Sequence, residues 1–520
     1  MKKVFASLFT LCAALSLAAP THAQKIEKLA AEKAVKHDTS RPLREITPVK
    51  GKTNRKDFEP KRPAEPGGEF KDPVVQSSAA PLVAITSGLN FEGVGDGMTG
   101  FNVQFAPPDT TGDVGATQYV QWVNTYFAVF NKVSGGIVYG PAAGNTLWSG
   151  FGGPCETSND GDPIVQYDQL AGRWLLTQFA VPGGAAGYWQ CVAVSQTSDA
   201  TGAYHRYAFQ YNQFPDYPKV SVWPDAYYVT FNMFTNFFTG ARVCAWDRAK
   251  MIAGLPATQQ CFQLSTSYGS LLPADMDGPT PPPPGSPNYL LNFTTNALRM
   301  WKFSVNWVNP ALSTLTGPTN IPVAAFTRGC DGGACVEQPG TTQKLDSLGD
   351  RLMYRLAYRN FGTHESLVVN HSVRTGANRK TYRTGIRWYE LRNPNGAVTV
   401  HQQGTYAPDT TNYRWMGSAA MDKVGNLAVG YSVSSSTLRP SIRFAARAAS
   451  DPLGTLSSES NVLTGTGSQT QGLARWGDYA TISVDPVDDC TMWFTTEYLA
   501  TNGTWNWHTR INSFKLQGCQ

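Results

Sequence analysis

From residue 82 onward the chain alternates short apolar runs, rich in Val, Tyr, Phe and Thr, with clusters of Gly, Pro, Asn and Asp. Short runs bounded by turn-forming residues predict β-strands. Helical periodicity is nearly absent; one helical turn is expected over 247–252, opening on Asp247. The class expected is all-β.

One phrase recurs through this pattern: a polar step, an apolar run, an acidic turn, and a second run opening on an aromatic. Its clearest copy is Ala474-Arg475-Trp476-Gly477-Asp478-Tyr479, followed by residues 480–484, the turn Asp485-Pro486-Val487-Asp488-Asp489, and Trp493. Other copies open on Gly161-Asp162-Pro163, Pro215-Asp216-Tyr217-Pro218, Gly349-Asp350-Arg351 and Arg414-Trp415-Met416-Gly417. Weaker ones open on Gly112-Asp113-Val114 and Met276-Asp277-Gly278. Seven copies about 50 to 70 residues apart mark one supersecondary unit per repeat. Each unit has room for four strands, the blade of a β-propeller. The expected fold is a seven-bladed β-propeller over 82–520, with six or eight blades as alternatives. A ring also accommodates a length that is large for one compact core.

Residues 1–23 read as a secretory signal peptide: Lys2 and Lys3, an apolar stretch, then Thr21-His22-Ala23 before the cut. The apolar stretch is short for a membrane span. Residues 24–81 are rich in Lys, Glu, Pro and Thr with few aromatics. They are expected to form a disordered linker or pro-segment, since such composition buries too little apolar surface to offset chain entropy. The expected location is secreted or periplasmic.

Lys and Arg number 43 against 38 Asp and Glu, a net charge of +5. Much of that excess lies in 24–81. The remaining chain has no basic stripe to neutralise phosphates, so a nucleic-acid partner is not expected. Of nine cysteines, Cys12 leaves with the signal. The other eight, in an exported chain, imply disulfides. The repeat suggests local pairs, Cys155–Cys191, Cys244–Cys261, Cys330–Cys335 and Cys490–Cys519. Cys330-x4-Cys335 lacks a second pair at zinc spacing.

The phrase places Asp113, Asp162, Asp216, Asp277, Asp350 and Asp478 at the starts of the innermost strands, which converge on one mouth of a propeller channel. Arg351, Arg414 and Arg475 fall at the same place, with Trp476 beside them. Such a ring either binds a polar ligand or clips each blade to its neighbour. The sequence makes no cofactor certain; calcium is the one it admits, held by carboxylates such as Asp162, Asp216 and Asp350. The fifth copy carries residues the repeat does not require: His364, Glu365, His371, Arg387, Tyr389 and Glu390. His or Tyr can move a proton, and Arg can grip an acid bidentately. The alternative for His371 is a satisfied core histidine, and for Glu390 and Arg387 a solvated strand face. Gly-x-Ser-x-Gly, His-Glu-x-x-His, phosphate-loop and dinucleotide signatures are absent from the sequence.

The turns Ser198-Asp199-Ala200-Thr201-Gly202 and Ser450-Asp451-Pro452-Leu453-Gly454 resemble the Asp-box of sialidase-like propellers, with one extra residue between Asp and Gly. Trp388-Tyr389-Glu390, Gln403-Gly404-Thr405-Tyr406, Arg414-Trp415-Met416-Gly417-Ser418, Gly430-Tyr431-Ser432 and Arg475-Trp476-Gly477-Asp478-Tyr479 resemble a group of large exported bacterial β-propeller proteins of unsettled activity. The likeness implies fold and export. By analogy, sialidase-like hydrolases use a Tyr–Glu pair with three Arg, and propeller polysaccharide lyases use His and Tyr. The function expected is a carbohydrate-active enzyme, glycoside hydrolase or polysaccharide lyase, on an acidic glycan. The alternative is a non-catalytic adhesion propeller binding a glycan or protein of the envelope. The expected partner is thus an extracellular glycan or envelope polymer, met by a monomer without a membrane span.

Overall fold

The computed structural model describes residues 26–49, 56–57, 71–81, 83–182, 186–376, 378 and 381–520; residues 1–23, expected to be a signal peptide, lie outside them. The strands group into antiparallel four-stranded meanders. The first runs Thr111–Val114, Gln118–Val123, Tyr126–Asn131, Ile137–Ala143. The second is Gly161–Asp168, Arg173–Ala180, Tyr188–Ser195, Tyr204–Tyr211, and the third Phe214–Val222, Tyr227–Phe234, Phe238–Trp246, Thr258–Gln263. The fourth is Leu272–Asp277, Asn288–Thr294, Ala297–Ser304, Thr314–Pro322, and the fifth Met353–Asn360, Glu365–Thr375, Arg383–Arg392, Thr399–Tyr406. The sixth is Tyr413–Met421, Leu427–Ser434, Ser441–Arg447, Ser460–Leu463. The last takes three strands from the C-terminus, Thr481–Val484, Met492–Leu499 and Trp507–Leu516, and its outer strand, Ile85–Glu92, from near the N-terminus.

The first strand of each meander packs beside the first strand of the next, and the last returns to the first. This is the closed ring of a β-propeller. Side chains of one inner strand bond the backbone of the neighbouring one: Asp113 Oδ2 accepts from Tyr167 N at 2.7 Å, Asp275 Oδ1 from Val222 N at 2.9 Å, and Ser418 Oγ from Ile482 N at 3.0 Å. Between the sheets lie apolar clusters in which Trp122, Trp174, Trp223, Trp246, Trp301, Trp388, Trp415 and Trp507 are fully buried.

The expected helical turn forms at Arg248–Ile252, with Asp247 capping Lys250 N. All four expected disulfides are present. Cys490–Cys519 joins the starts and ends of the last meander's C-terminal strands, beside the point where the ring closes. Both Asp-box-like turns connect third and fourth strands, where Asp199 Oδ1 accepts from Thr201 N at 2.9 Å and Asp451 Oδ2 from Ala448 N at 2.7 Å.

The segment 24–81 departs from expectation: its described residues are not a disordered linker. Glu27–Lys28 and Glu32–Lys33 pair with the outer strand of the third meander, Lys36–Thr39 with that of the second, and Val75–Gln76 with that of the fifth. Leu43 and Ile46 are buried beside Trp148. The outer edges of the sheets offer unpaired backbone groups. Backbone pairing needs few apolar side chains, so a polar strap still finds a place.

Candidate active site at the channel mouth

The inner strands all begin at one end of the ring. At that end each carries, within the strand or just before it, a non-glycine residue with positive φ: Asp109 (48°), Asp162 (45°), Tyr217 (54°), Ser270 (51°), Leu348 (45°), Met416 (56°) and Asp478 (60°). Positive φ is uncommon for such residues, Asp and Asn apart. Where it falls inside a paired strand, the register shifts: between Gly161 and Ile164, between Asp216 and Lys219, and between Trp415 and Ser418. Such bulges re-aim a side chain. All seven residues but Met416 line a cavity of about 870 Å³ at this mouth.

The cavity is blind. Below it Arg355 of the fifth inner strand donates to Asp275 (3.1 Å) and Asp277 (2.7 Å) of the fourth and to the Ile482 carbonyl (3.0 Å) of the last. Tyr354 Oη donates to the Val220 carbonyl at 3.0 Å and accepts from Gln166. These buried groups fill the channel's middle and leave a cul-de-sac in which a ligand loses water on several sides.

Its walls differ. One side, from the second to the fourth meander, presents Phe179, Tyr188, Phe214, Phe234, Phe238 and Phe293. The other presents Asp346, Asp350, Arg351, Arg475, Asp478 and Asp109, with Arg328 at the exposed rim. Arg351 grips Asp350 through Nε (2.9 Å) and Nη2 (3.2 Å), and its guanidinium lies 4.5 Å from the Tyr217 ring centroid. Arg475 Nε donates to Asp478 at 2.9 Å.

At the floor, Lys219 is wholly buried. Its Nζ stands 3.1 Å and 3.7 Å from the ring centroids of Tyr217 and Tyr479 and donates to the Pro218 carbonyl at 3.0 Å. Burial pushes its pKa well down, against the pull of Asp162. Tyr479 Oη donates to Asp162 Oδ2 at 3.1 Å. Burial and then the Asp216 charge push Asp162 up to about 6. Asp109 is buried more tightly: its Oδ2 accepts from Asn124 Nδ2 at 3.1 Å, while its Oδ1 has no hydrogen-bond partner among the described residues. Burial, then Asp162, hold its carboxyl well above the usual range. Burial thus pushes both carboxyls up, and the Asp162 charge raises Asp109 further, so the floor holds two interacting carboxyl groups.

Six residues proposed from sequence meet in this cavity: Asp162, Asp216, Asp350, Arg351, Arg475 and Asp478. Asp113 and Asp277 do not; the first clips two inner strands and the second pairs with Arg355 below the floor. A calcium site at Asp162, Asp216 and Asp350 is not supported: among the described residues no three His, Cys, Asp or Glu converge on one point. Lys219, Arg351 and Arg475 interleave with these carboxylates and supply the positive charge.

The catalytic set expected in the fifth meander is dispersed. His371 is fully buried between Phe293, Phe326 and Tyr389, its Nε2 at 3.0 Å from Tyr389 Oη, and burial holds its pKa well down. It faces the neighbouring sheet and is a core histidine, with its Nδ1 lacking a hydrogen-bond partner among the described residues. Glu390 lies on the third strand, outside the cavity. Burial would raise its pKa, but Gln402 (2.6 Å) and Arg392 (2.7 Å) donate to it and hold it down. Arg387 is buried against Asp72 at 2.7 Å. His364 and Glu365 lie beyond the far end of the inner strand, where His364 stacks on Phe361 and Glu365 accepts from Tyr358 at 2.7 Å. Arg414 is buried between Asp409 and Glu459, and Trp476 donates to Ser432 Oγ at 3.1 Å from inside the core. None of these eight lines the cavity.

Asp109, Lys219, Tyr217 and the aromatic wall were not found from sequence. Gly112-Asp113, three residues on, fits the repeated phrase better than Pro107-Pro108-Asp109-Thr110, and nothing in the sequence around Lys219 marks it as buried.

No protein-family model and no curated protein matches the chain. Among solved structures, an α-L-arabinanase from Penicillium chrysogenum complexed with arabinobiose is 10% identical with a TM-score of 0.35, over 84% of this chain and 100% of that one. The N-terminal domain of Nup159 is 8% identical with a TM-score of 0.37, over 89% and 100%. An α-L-arabinofuranosidase from Lactobacillus brevis is 12% identical with a TM-score of 0.28, over 68% and 89%. TM-scores this low decide neither the number of blades nor any chemistry.

Proposed function

We propose that the chain is a secreted or periplasmic seven-bladed propeller that hydrolyses an acidic glycan in the cavity at its channel mouth. Asp109 is the proton donor to the leaving oxygen. Asp162, ionised above about pH 6, activates the attacking water or attacks the sugar itself. The observation that carries the reading is the buried Asp109 carboxyl, with one oxygen unpartnered and a second carboxylate beside it. Carboxyls pushed apart in titration are the equipment of glycosidic hydrolysis. The aromatic wall suits the apolar face of a sugar ring, and Arg328, Arg351 and Arg475 suit a substrate carboxylate. Hydrolysis is favoured over β-elimination because the His and Tyr expected to run a lyase, His371 and Tyr389, are buried outside the cavity. The closed ring of inner-strand contacts and the seven positive-φ residues support the blade count. The four disulfides support export to an oxidising compartment.

The test is release of reducing ends from polygalacturonate, alginate and hyaluronan, with arabinan as a neutral control. The reading expects cleavage of an acidic polymer without an ultraviolet-absorbing unsaturated product. Retention of a polymer without any product would favour the adhesion alternative; an unsaturated product would favour a lyase.

A further inference from the structure

The cavity's aromatic wall continues out of the cavity. Tyr227–Phe234 and Phe238–Trp246 form a hairpin closed by a three-residue loop. Phe234, Thr235 and Phe238 line the cavity rim. The tip carries Phe237, which is 79% exposed and is the one exposed aromatic side chain among the described residues. A single exposed apolar residue needs no special explanation. Here, however, the ring stands at the tip of the hairpin whose strands carry Phe234 and Phe238, tilted against each other at 5.5 Å on the rim, and the same wall holds Phe179 edge-on to Phe214 at 5.5 Å and Tyr188 tilted against Phe214 at 5.7 Å.

The hairpin is also held in place. Thr235 N donates to the Phe237 carbonyl at 3.0 Å, which fixes the tip. Thr239 Oγ1 donates to the Met233 carbonyl at 3.0 Å and reaches Gln213 at 3.0 Å. At its base Gly240 has φ 112°, and a Cβ there would come within 2.1 Å of the Leu264 carbonyl oxygen. The backbone is thus pinned at both ends of the loop, and Phe237 is presented on a rigid stem.

We infer that Phe237 is a stacking platform for a second sugar unit, so that the substrate is a polymer or long oligosaccharide running from the cavity floor over the rim of the third meander. Aromatic faces give a ring-shaped ligand contact area at little conformational cost. The inference rests on the glycan reading above and adds to it that the substrate extends beyond the cavity. A chain bound this way has one sugar at Asp109 and Asp162 and a later one on Phe237. Free monosaccharides and short glycosides do not reach the platform.

The experiment uses affinity electrophoresis of the full chain in gels cast with polygalacturonate, alginate or arabinan, alongside product release. Wild type is expected to be retarded by at least one polymer. Phe237→Ala weakens that retardation about five- to tenfold, and Phe237→Trp restores it. The same Phe237→Ala enzyme keeps its turnover on a short chromogenic glycoside that fills only the cavity. Retention of Phe237→Ala equal to wild type overturns the platform, as does a wild type retarded by none of the polymers. Polymer binding that depends on Phe237 without any product release leaves the platform standing and overturns hydrolysis instead.

Discussion

Replacing Asp162 by Asn tests the electrostatics of the cavity floor without changing its shape. The amide has the carboxyl's volume, and its oxygen still accepts from Tyr479, but it cannot ionise. In the fold, burial and then the Asp216 charge raise Asp162 from 3.8 to about 6. An acid raised on folding favours the folded state below its unfolded pKa and loses that contribution as pH climbs through the folded value. The window is therefore about pH 4 to 6. A shift of about two units, at about 1.4 kcal/mol per unit, corresponds to ~3 kcal/mol. Wild type should lose that amount relative to Asp162→Asn between pH 4 and 7.5. Urea unfolding at several pH values, followed by tryptophan fluorescence, reads the difference. Parallel stability profiles for the two proteins would show that Asp162 does not ionise in a buried site, and the assignment of floor and base would fall with them.

Lys219→Met removes the cation beside Asp162, so the pH at which activity rises should move up by about one unit in the pH–rate profile. Arg387→Ala leaves Asp72 buried without its partner; a loss of about 3–5 kcal/mol is expected, with faster proteolysis near residues 71–81 and unchanged turnover per folded molecule. The double variant Cys490→Ser/Cys519→Ser should lose roughly 2–4 kcal/mol, read as a lower melting temperature, because the pair fastens the last meander where the ring closes.

The repeat was legible because every blade must bury the same short inner strand behind a polar step, and that recurring step brought out Asp162, Asp216, Asp350 and Asp478. Only Asp162 and Asp478 of these hold the positive-φ position; Tyr217 and Leu348 hold it beside Asp216 and Asp350. The first and fourth copies were read out of register. Their Gly112-Asp113 and Asp277-Gly278 pairs lie within or after the inner strand, while the equivalent starting positions are Asp109 and Ser270. The fifth copy misled for a different reason. His371, Glu390 and Arg387 lie on consecutive strands of one sheet, and sequence does not say that their side chains point at neighbouring sheets and straps instead of the channel. Asp72, the partner that buries Arg387, lies 315 residues away. The N-terminal strap was invisible because edge pairing uses backbone groups, which composition does not report.

The central claim is that Asp109 gives the proton at glycosidic cleavage. Turnover by Asp109→Asn on the acidic polymer that wild type cleaves tests it most directly. The account predicts a fall of at least about 100-fold in kcat with polymer retention in the gel unchanged. An Asp109→Asn enzyme that keeps wild-type turnover would contradict it.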